Sequence, residues 1–177
     1  MAASAREQLL DRLIDETAAN GLADRSLRDL AESAGSSHRM VLYHFGSREG
    51  LVAAIVQRVE ADQMALLEQL AAATDDPGEL VLGLWAAVSA PEMMPFVRLF
   101  FECVAATGGR GLTDPWLELA GRLAVSLGIG TDSDELRLGV AVTRGLLIDV
   151  LASGDATGAT RSLERFVAMW ESARAAQ

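Results

Sequence analysis

Residues 25–51 read RSLRDLAESAGSSHRMVLYHFGSREGL, and this stretch decides the fold. Ser26 with Asp29 three residues on is a capping box that opens a helix. Leu27, Leu30, Ala31 and Ala34 recur at helical spacing and form its buried stripe. Gly35 ends it, and Ser36 or Ser37 caps a third, short helix over roughly 37–44. Gly46-Ser47 breaks the chain again, and Ser47 caps a long helix from about 48 to 71. Two short helices around a tight glycine turn, flanked by longer ones, make a helix-turn-helix. The glycine permits the sharp turn, and small Ala31 and Ala34 let the two helices approach closely.

In the third helix Val41 and Phe45 lie four apart and face inward. That leaves Ser37, His38, Arg39, Met40, Tyr43 and His44 facing out, a mix that suits the major groove of duplex DNA. Arg39 reaches guanine edges or phosphate, Tyr43 reaches phosphate or packs on a thymine methyl, and Met40 gives apolar contact. Arg28 and Arg48, near the starts of the second and fourth helices, offer cations to phosphate, and Ser47 adds backbone N–H groups. A plain helical bundle would also show short amphipathic helices. It gives no reason for Arg, His and Tyr to gather on one face of a seven-residue helix. His38 and His44 are six apart, which is not the one-face spacing of a metal-binding pair, so no metal is expected.

Segment 26–51 resembles the DNA-binding domain of the TetR family of bacterial transcription regulators. The residues that carry the resemblance are Leu30-Ala31, Ala34-Gly35 and Ser37, followed by Tyr43-His44-Phe45, Arg48 and Leu51. Beyond residue 51 the likeness is one of architecture. It implies a linking helix, a helical ligand-binding body, and two C-terminal helices that form a dimer. The expected domains are 1–47 for DNA binding and 48–177 for ligand binding and dimerisation.

Working outward, the net charge of −10 is unevenly spread. Residues 1–48 carry six arginines against seven acids, whereas 25–48 carry four against two and hold both histidines. The basic patch is local, and the acidity lies in the C-terminal part. Half the residues are hydrophobic, which excludes a disordered chain. There is no uninterrupted apolar run of membrane-spanning length and no signal-like apolar N-terminal stretch, and the one cysteine cannot form an internal disulfide. These features lead us to expect a cytoplasmic protein.

The remaining chain reads as further helices, nine in all, with no alternating strand pattern: an all-α protein. Asn20-Gly21 stops the first helix. Pro77 enters the fifth, and Pro91 and Pro95 bracket a bend before a sixth over 96–106. Gly108, Gly109 and Gly111 form a loop, and Thr113-Asp114-Pro115 caps a seventh helix. Asp132 with Glu135 is a second capping box for an eighth helix to about 152, and the last helix starts near Thr160.

Trp85, Phe96, Phe100, Cys103 and Trp116 are candidate contacts for a hydrophobic or aromatic effector, although the same list is first of all a core. Arg98 and Glu102 are a helical i, i+4 pair. Arg144 and Asp149 sit in an apolar helix and call for pairing or solvent. Gly139, Gly145, Leu146 and Val150 on the eighth helix, with Phe166 and Trp170 on the ninth, are candidate contacts of a homodimer, because a symmetric operator needs two readers about 34 Å apart.

An enzyme is not expected. Both histidines lie in the DNA reader, the cysteine sits in an apolar helix, and no Gly-rich phosphate loop or cofactor motif is present. The function expected is a transcriptional regulator, a repressor released from a palindromic operator by a small hydrophobic ligand. The alternative is a helical interaction module that no longer binds DNA, favoured by the overall acidity and by Leu42 where the family usually has tyrosine.

Overall fold

Helix α1 (Ala5–Asn20) opens on a reciprocal cap, with the Ser4 hydroxyl accepting the Glu7 N–H and the Glu7 carboxylate accepting the Ser4 N–H. It closes where Gly21 donates to the Thr17 carbonyl. The computed structural model describes residues 4–22, 24–108, 112–130 and 132–175. Among them are nine α-helices, one 3-10 turn at Pro91–Met93 and no strand. The remaining helices are α2 (Leu27–Ser33), α3 (His38–Phe45), α4 (Arg48–Ala71), α5 (Pro77–Val88), α6 (Met94–Thr107), α7 (Asp114–Ser126), α8 (Ser133–Ser153) and α9 (Ala156–Ala175). Among the described residues no single helix is long and apolar enough to cross a membrane.

The capping box at Ser26 and Asp29 forms as the sequence predicts. Gly35 (φ +66°) lies in the left-handed region, and its neighbour Ser36 donates back to the Ala31 carbonyl at 2.8 Å. That bond closes the end of α2 and turns the chain sharply into α3. Ser37 is the cap of α3, accepting the Met40 N–H at 3.2 Å. Leu30, Ala31 and Val41 are fully buried between the short helices, as is Leu13 on α1.

Four elements differ from the sequence reading. Helix α6 already starts at Met94, with Pro95 in its first turn. Asp132 caps α8 by accepting the Asp134 N–H, with no box to Glu135. Helices α7 and α9 differ in how they begin. The Thr113 hydroxyl makes no cap to α7. It accepts instead from Arg144 at 3.2 Å, while a second Arg144 nitrogen donates to the Leu112 carbonyl at 2.9 Å. Arg144 is therefore satisfied by the chain it packs on, and Asp149 is exposed. Helix α9 starts at Ala156, four residues before Thr160. Its first turn holds the weak helix formers Thr157 and Gly158, but the Asp155 carboxylate accepts the Gly158 N–H at 2.7 Å and holds it. The loop expected at Gly109 and Gly111 lies outside the described residues.

The chain forms two compact units. The first comprises Met1–Ala61 with Pro95–Arg110, and the second Asp62–Met94 with Gly111–Gln177. The first unit thus reaches past residue 47 and takes in α6. Its added segments are tied to α1 and the turn after it: Arg58 pairs with Asp11 at 3.0 Å, and Glu102 accepts the Leu22 N–H at 3.1 Å. In the second unit Leu67, Leu80 and Leu119 form a core cluster, with Met64, Leu84, Trp116 and Leu123 packed against it.

Candidate nucleic-acid interface

The face of α3 is set by its own periodicity. Val41 and Phe45 turn inward; Ser37, Arg39, Met40, Leu42 and Tyr43 are exposed, and His38 and His44 are half-buried. Tyr43 is the most exposed of the large apolar side chains, at 79%. Its ring meets His44 edge-on at 4.9 Å, and His44 meets Phe45 edge-on at 6.2 Å. His44 therefore rests between the core and the exposed Tyr43, a packing role alongside any polar one.

The six arginines of this region divide sharply. Arg6 lies over the Phe45 ring at 5.1 Å and donates to the His44 carbonyl at 3.4 Å. Arg12 donates to the Ala34 carbonyl at 3.2 Å. Both place a cation at the carboxyl end of a short helix, where the dipole favours it. Arg25 pairs with Glu16 at 3.1 Å and donates to the Ser33 hydroxyl. Arg48 donates to the carbonyls of Leu22 at 3.0 Å and Arg25 at 3.3 Å. Only Arg28 and Arg39 are exposed without a hydrogen bond or ion pair to another described residue.

Arg48 is thus a correction to the sequence reading. Its guanidinium is turned onto loop carbonyls instead of standing out as a cation for phosphate. Arg6, Arg12 and Gly50 are the residues that sequence reasoning missed. A Cβ on Gly50 would collide with the Phe45 carbonyl, so only glycine lets the first turn of α4 press against the end of α3. The signal was a glycine inside a helical pattern, where glycine otherwise costs stability.

Two free arginines and an outstanding tyrosine around a short capped helix are the arrangement a groove reader requires. Residues 9–55 match the family described as bacterial regulatory proteins, tetR family. The family match is confined to this N-terminal segment. No curated protein sequence matches the chain. Among solved structures it is similar to a transcriptional regulator from Rhodococcus sp. Rha1, at 19% identity over 94% of this chain and 95% of that one, with a TM-score of 0.76. It is also similar to SmeT, the repressor of the Stenotrophomonas maltophilia multidrug efflux pump SmeDEF, at 23% identity over 93% and 88% of the two chains, TM-score 0.66. A third likeness is to PfmR, a TetR family transcriptional regulator from Thermus thermophilus, at 20% identity over 95% and 96%, TM-score 0.58. These likenesses extend the all-α tetR fold over nearly the whole chain.

The candidate effector contacts are divided between the two units. Phe96, Phe100 and Cys103 lie on α6 in the first unit; Trp85 and Trp116 lie in the second. Trp85 is only 1% exposed and its indole N–H is taken by Thr160, so it is core. Cys103 is fully buried, and Phe100 nearly so. Phe96 and Trp116 are half-buried. None of the five lines the cleft of about 440 Å3 formed by Thr17, Asn20, Gly21, Pro95, Arg98, Leu99 and Glu102 with neighbouring residues. Among the described residues no group of three His, Cys, Asp or Glu is placed to hold a metal ion.

The candidate dimer contacts also sort by exposure. Val150 is buried within the chain, which removes it as an interface residue. Leu146, Phe166 and Trp170 are half-buried, and Arg174 stacks over the Trp170 ring at 4.9 Å. The open face of α8 is instead Leu138, Ala141, Gly145, Ile148 and Ala152, spaced three and four apart. Leu138 and Ile148 are 53% and 52% exposed, and Met169 on α9 is 64% exposed. A Cβ at Gly139 or Gly145 would meet no atom within 4 Å.

Proposed function

We propose that the chain is a homodimeric repressor in the cytoplasm that leaves a palindromic operator when a small hydrophobic ligand binds. The observation that carries the DNA-reading part is the division of the arginines. Four of six are committed to building the helix-turn-helix, while Arg28 and Arg39 are exposed and make no hydrogen bond or ion pair to another described residue, and Tyr43, Met40 and the Ser37 cap stand exposed on α3. Arg39, Met40 and Tyr43 meet base edges or the adjoining phosphates, and Arg28 and Ser37 meet phosphate. His44 supports Tyr43 from behind. Each phosphate neutralised releases counterions, so affinity falls steeply with salt.

A second copy on the open face of α8 and on Met169 of α9 supplies the second reader at one helical turn of DNA. Gly139 and Gly145 permit close approach there, and Leu146, Phe166 and Trp170 support the face from within. The effector takes apolar contacts; Phe96 is the more accessible candidate in the first unit and Trp116 in the second, each considered by itself. It shifts DNA affinity only by binding the two forms of the protein unequally.

The test is a binding titration of the full chain with duplex DNA from upstream of its own gene. The wild type is expected to retain the fragment, and Arg39→Ala with Tyr43→Ala together to lose it while the melting temperature holds. Retained binding by the double variant sinks the assignment of α3 as the reader.

A further inference from the structure

Leu22 lies in the turn between α1 and α2, with its side chain 2% exposed. Neither of its backbone polar groups belongs to a helix ladder, and each is held by a charged side chain from a different helix. Glu102 of α6 accepts the N–H at 3.1 Å. Arg48 of α4 donates to the C=O at 3.0 Å and, through Nε, to the C=O of Arg25 at 3.3 Å. The contact between Leu22 and Glu102 spans 80 residues of sequence. Resting on the DNA-reading function proposed above, we infer that Glu102 is a positioning residue for that function, acting through the Leu22 backbone and its partner Arg48.

The physical case is one of over-determination. A turn whose backbone groups are partly buried must satisfy them or bear the cost of desolvation. Charged partners make the stronger hydrogen bonds. This turn ends four residues beyond Leu22, at the Ser26 cap from which α2 starts, and α2 packs on α3. Asp24 within it holds a positive φ of 59°, a conformation a non-glycine residue keeps only when its surroundings enforce it. Arg25 adds a further brace, reaching Glu16 on α1 and Ser33 on the last turn of α2. Arg48 follows directly on the Gly46-Ser47 break after α3, so one side chain links the exit of α3 to the approach to α2. Glu102 fixes the same point from α6. Neither residue faces outward with Arg39 and Tyr43, yet both set where α2, and α3 upon it, stand.

The experiment uses the full chain and DNA from upstream of its own gene, with Glu102→Ala, Glu102→Gln, Arg48→Lys and the double variant of Glu102→Ala with Arg48→Lys. Glu102→Ala is expected to weaken specific binding about ten-fold or more, to leave salt-driven binding to unrelated DNA in place, and to speed hydrogen exchange at the Leu22 amide. Glu102→Gln keeps an acceptor oxygen and is expected to restore most of both. Arg48→Lys keeps the charge but loses the two-nitrogen fork that reaches both carbonyls, and its loss is expected not to add to that of Glu102→Ala, because both act on one turn. Unchanged affinity in Glu102→Ala, no recovery in Glu102→Gln, or additive losses would overturn the inference. Should Glu102→Ala fold poorly, the Leu22 exchange rate in Glu102→Gln and Arg48→Lys still decides. Failure of the DNA-reading proposal itself appears separately, as a wild-type chain that does not retain the fragment.

Discussion

The indole N–H of Trp85 on α5 donates to the hydroxyl of Thr160 on α9 at 2.8 Å. Trp85 is among the largest fully buried side chains, and the Thr160 hydroxyl donates in turn to the Ala156 carbonyl. Thr160→Val keeps the shape but strands a buried donor. The expected cost is about 1–3 kcal/mol, read as a lower denaturation midpoint with an unchanged denaturant slope. Thr160→Ser, which keeps the acceptor, should cost clearly less.

On the open face of α8, Ile148 is half exposed in the single chain and has little to lose from substitution within it. Ile148→Asp is therefore expected to leave the helical content and the melting of the folded chain nearly unchanged, while sedimentation reports a monomer at concentrations where the wild type is a dimer. A variant that sediments like the wild type would place the interface elsewhere.

Gly50 is the point where the first turn of α4 touches the Phe45 carbonyl. Alanine elsewhere in a helix is worth a gain over glycine. Here it forces backbone apart, and Gly50→Ala is expected to destabilise the chain by about 1–3 kcal/mol. Circular dichroism melting checks the sign, and a rise in melting temperature would show that the two helices can separate without cost.

Three helix starts in the first unit hold their carboxylates below the usual range. In Asp29 the Ser26 hydroxyl and then the Ser26 N–H cause the shift; in Glu7 the Ser4 N–H and then its hydroxyl; in Glu49 its own backbone N–H and then Ser47. A carboxylate lowered in the folded state binds fewer protons there than in the unfolded chain. Its contribution is present above the ordinary values of 4.5 and 3.8 and is lost as pH falls through the lowered ones. Acid below about pH 4 is therefore expected to fray α1, α2 and the start of α4. Ser26→Ala should raise the Asp29 titration midpoint followed by carboxyl carbon NMR, and an unmoved midpoint would rule the cap out as the cause.

What the sequence made legible was local. Ser26 with Asp29, the Gly35 turn, the inward pair Val41 and Phe45, and the bounds of α4 all follow from spacing and cap chemistry within a few residues. The misreadings come from contacts that no local window contains. Arg48 looks like a surface cation until the turn at Leu22 and Arg25, 26 and 23 residues earlier, is folded against it. Thr113 looks like a cap until Arg144, 31 residues on, claims its hydroxyl. Val150 looks like an interface residue because an apolar stripe does not say which side of it meets its own chain. The start of α9 is hidden for the opposite reason: the weak helix formers Thr157 and Gly158 are outweighed by one capping carboxylate, Asp155.

Cys103 is fully buried on α6, and burial pushes its thiol up to about 12 from an ordinary 9.0, with the neighbouring Glu102 adding to the shift and Arg48 opposing it. The thiolate is the reactive form, so native protein at pH 8 is expected to resist aromatic disulfide reagents and iodoacetamide, and to react only at the rate at which this region opens. The same shift carries a sign for stability. Between pH 9 and about 12 the unfolded chain has lost the thiol proton while the folded chain keeps it, so stability falls with rising pH across that window and is unaffected by this group below it. Cys103→Ser leaves a hydroxyl that does not titrate there, and its alkaline stability curve should lack that component of the decline. If wild type and variant decline in parallel from pH 9 upward, the thiol is ionising in the folded state as readily as in the unfolded one, and the burial argument for Cys103 fails.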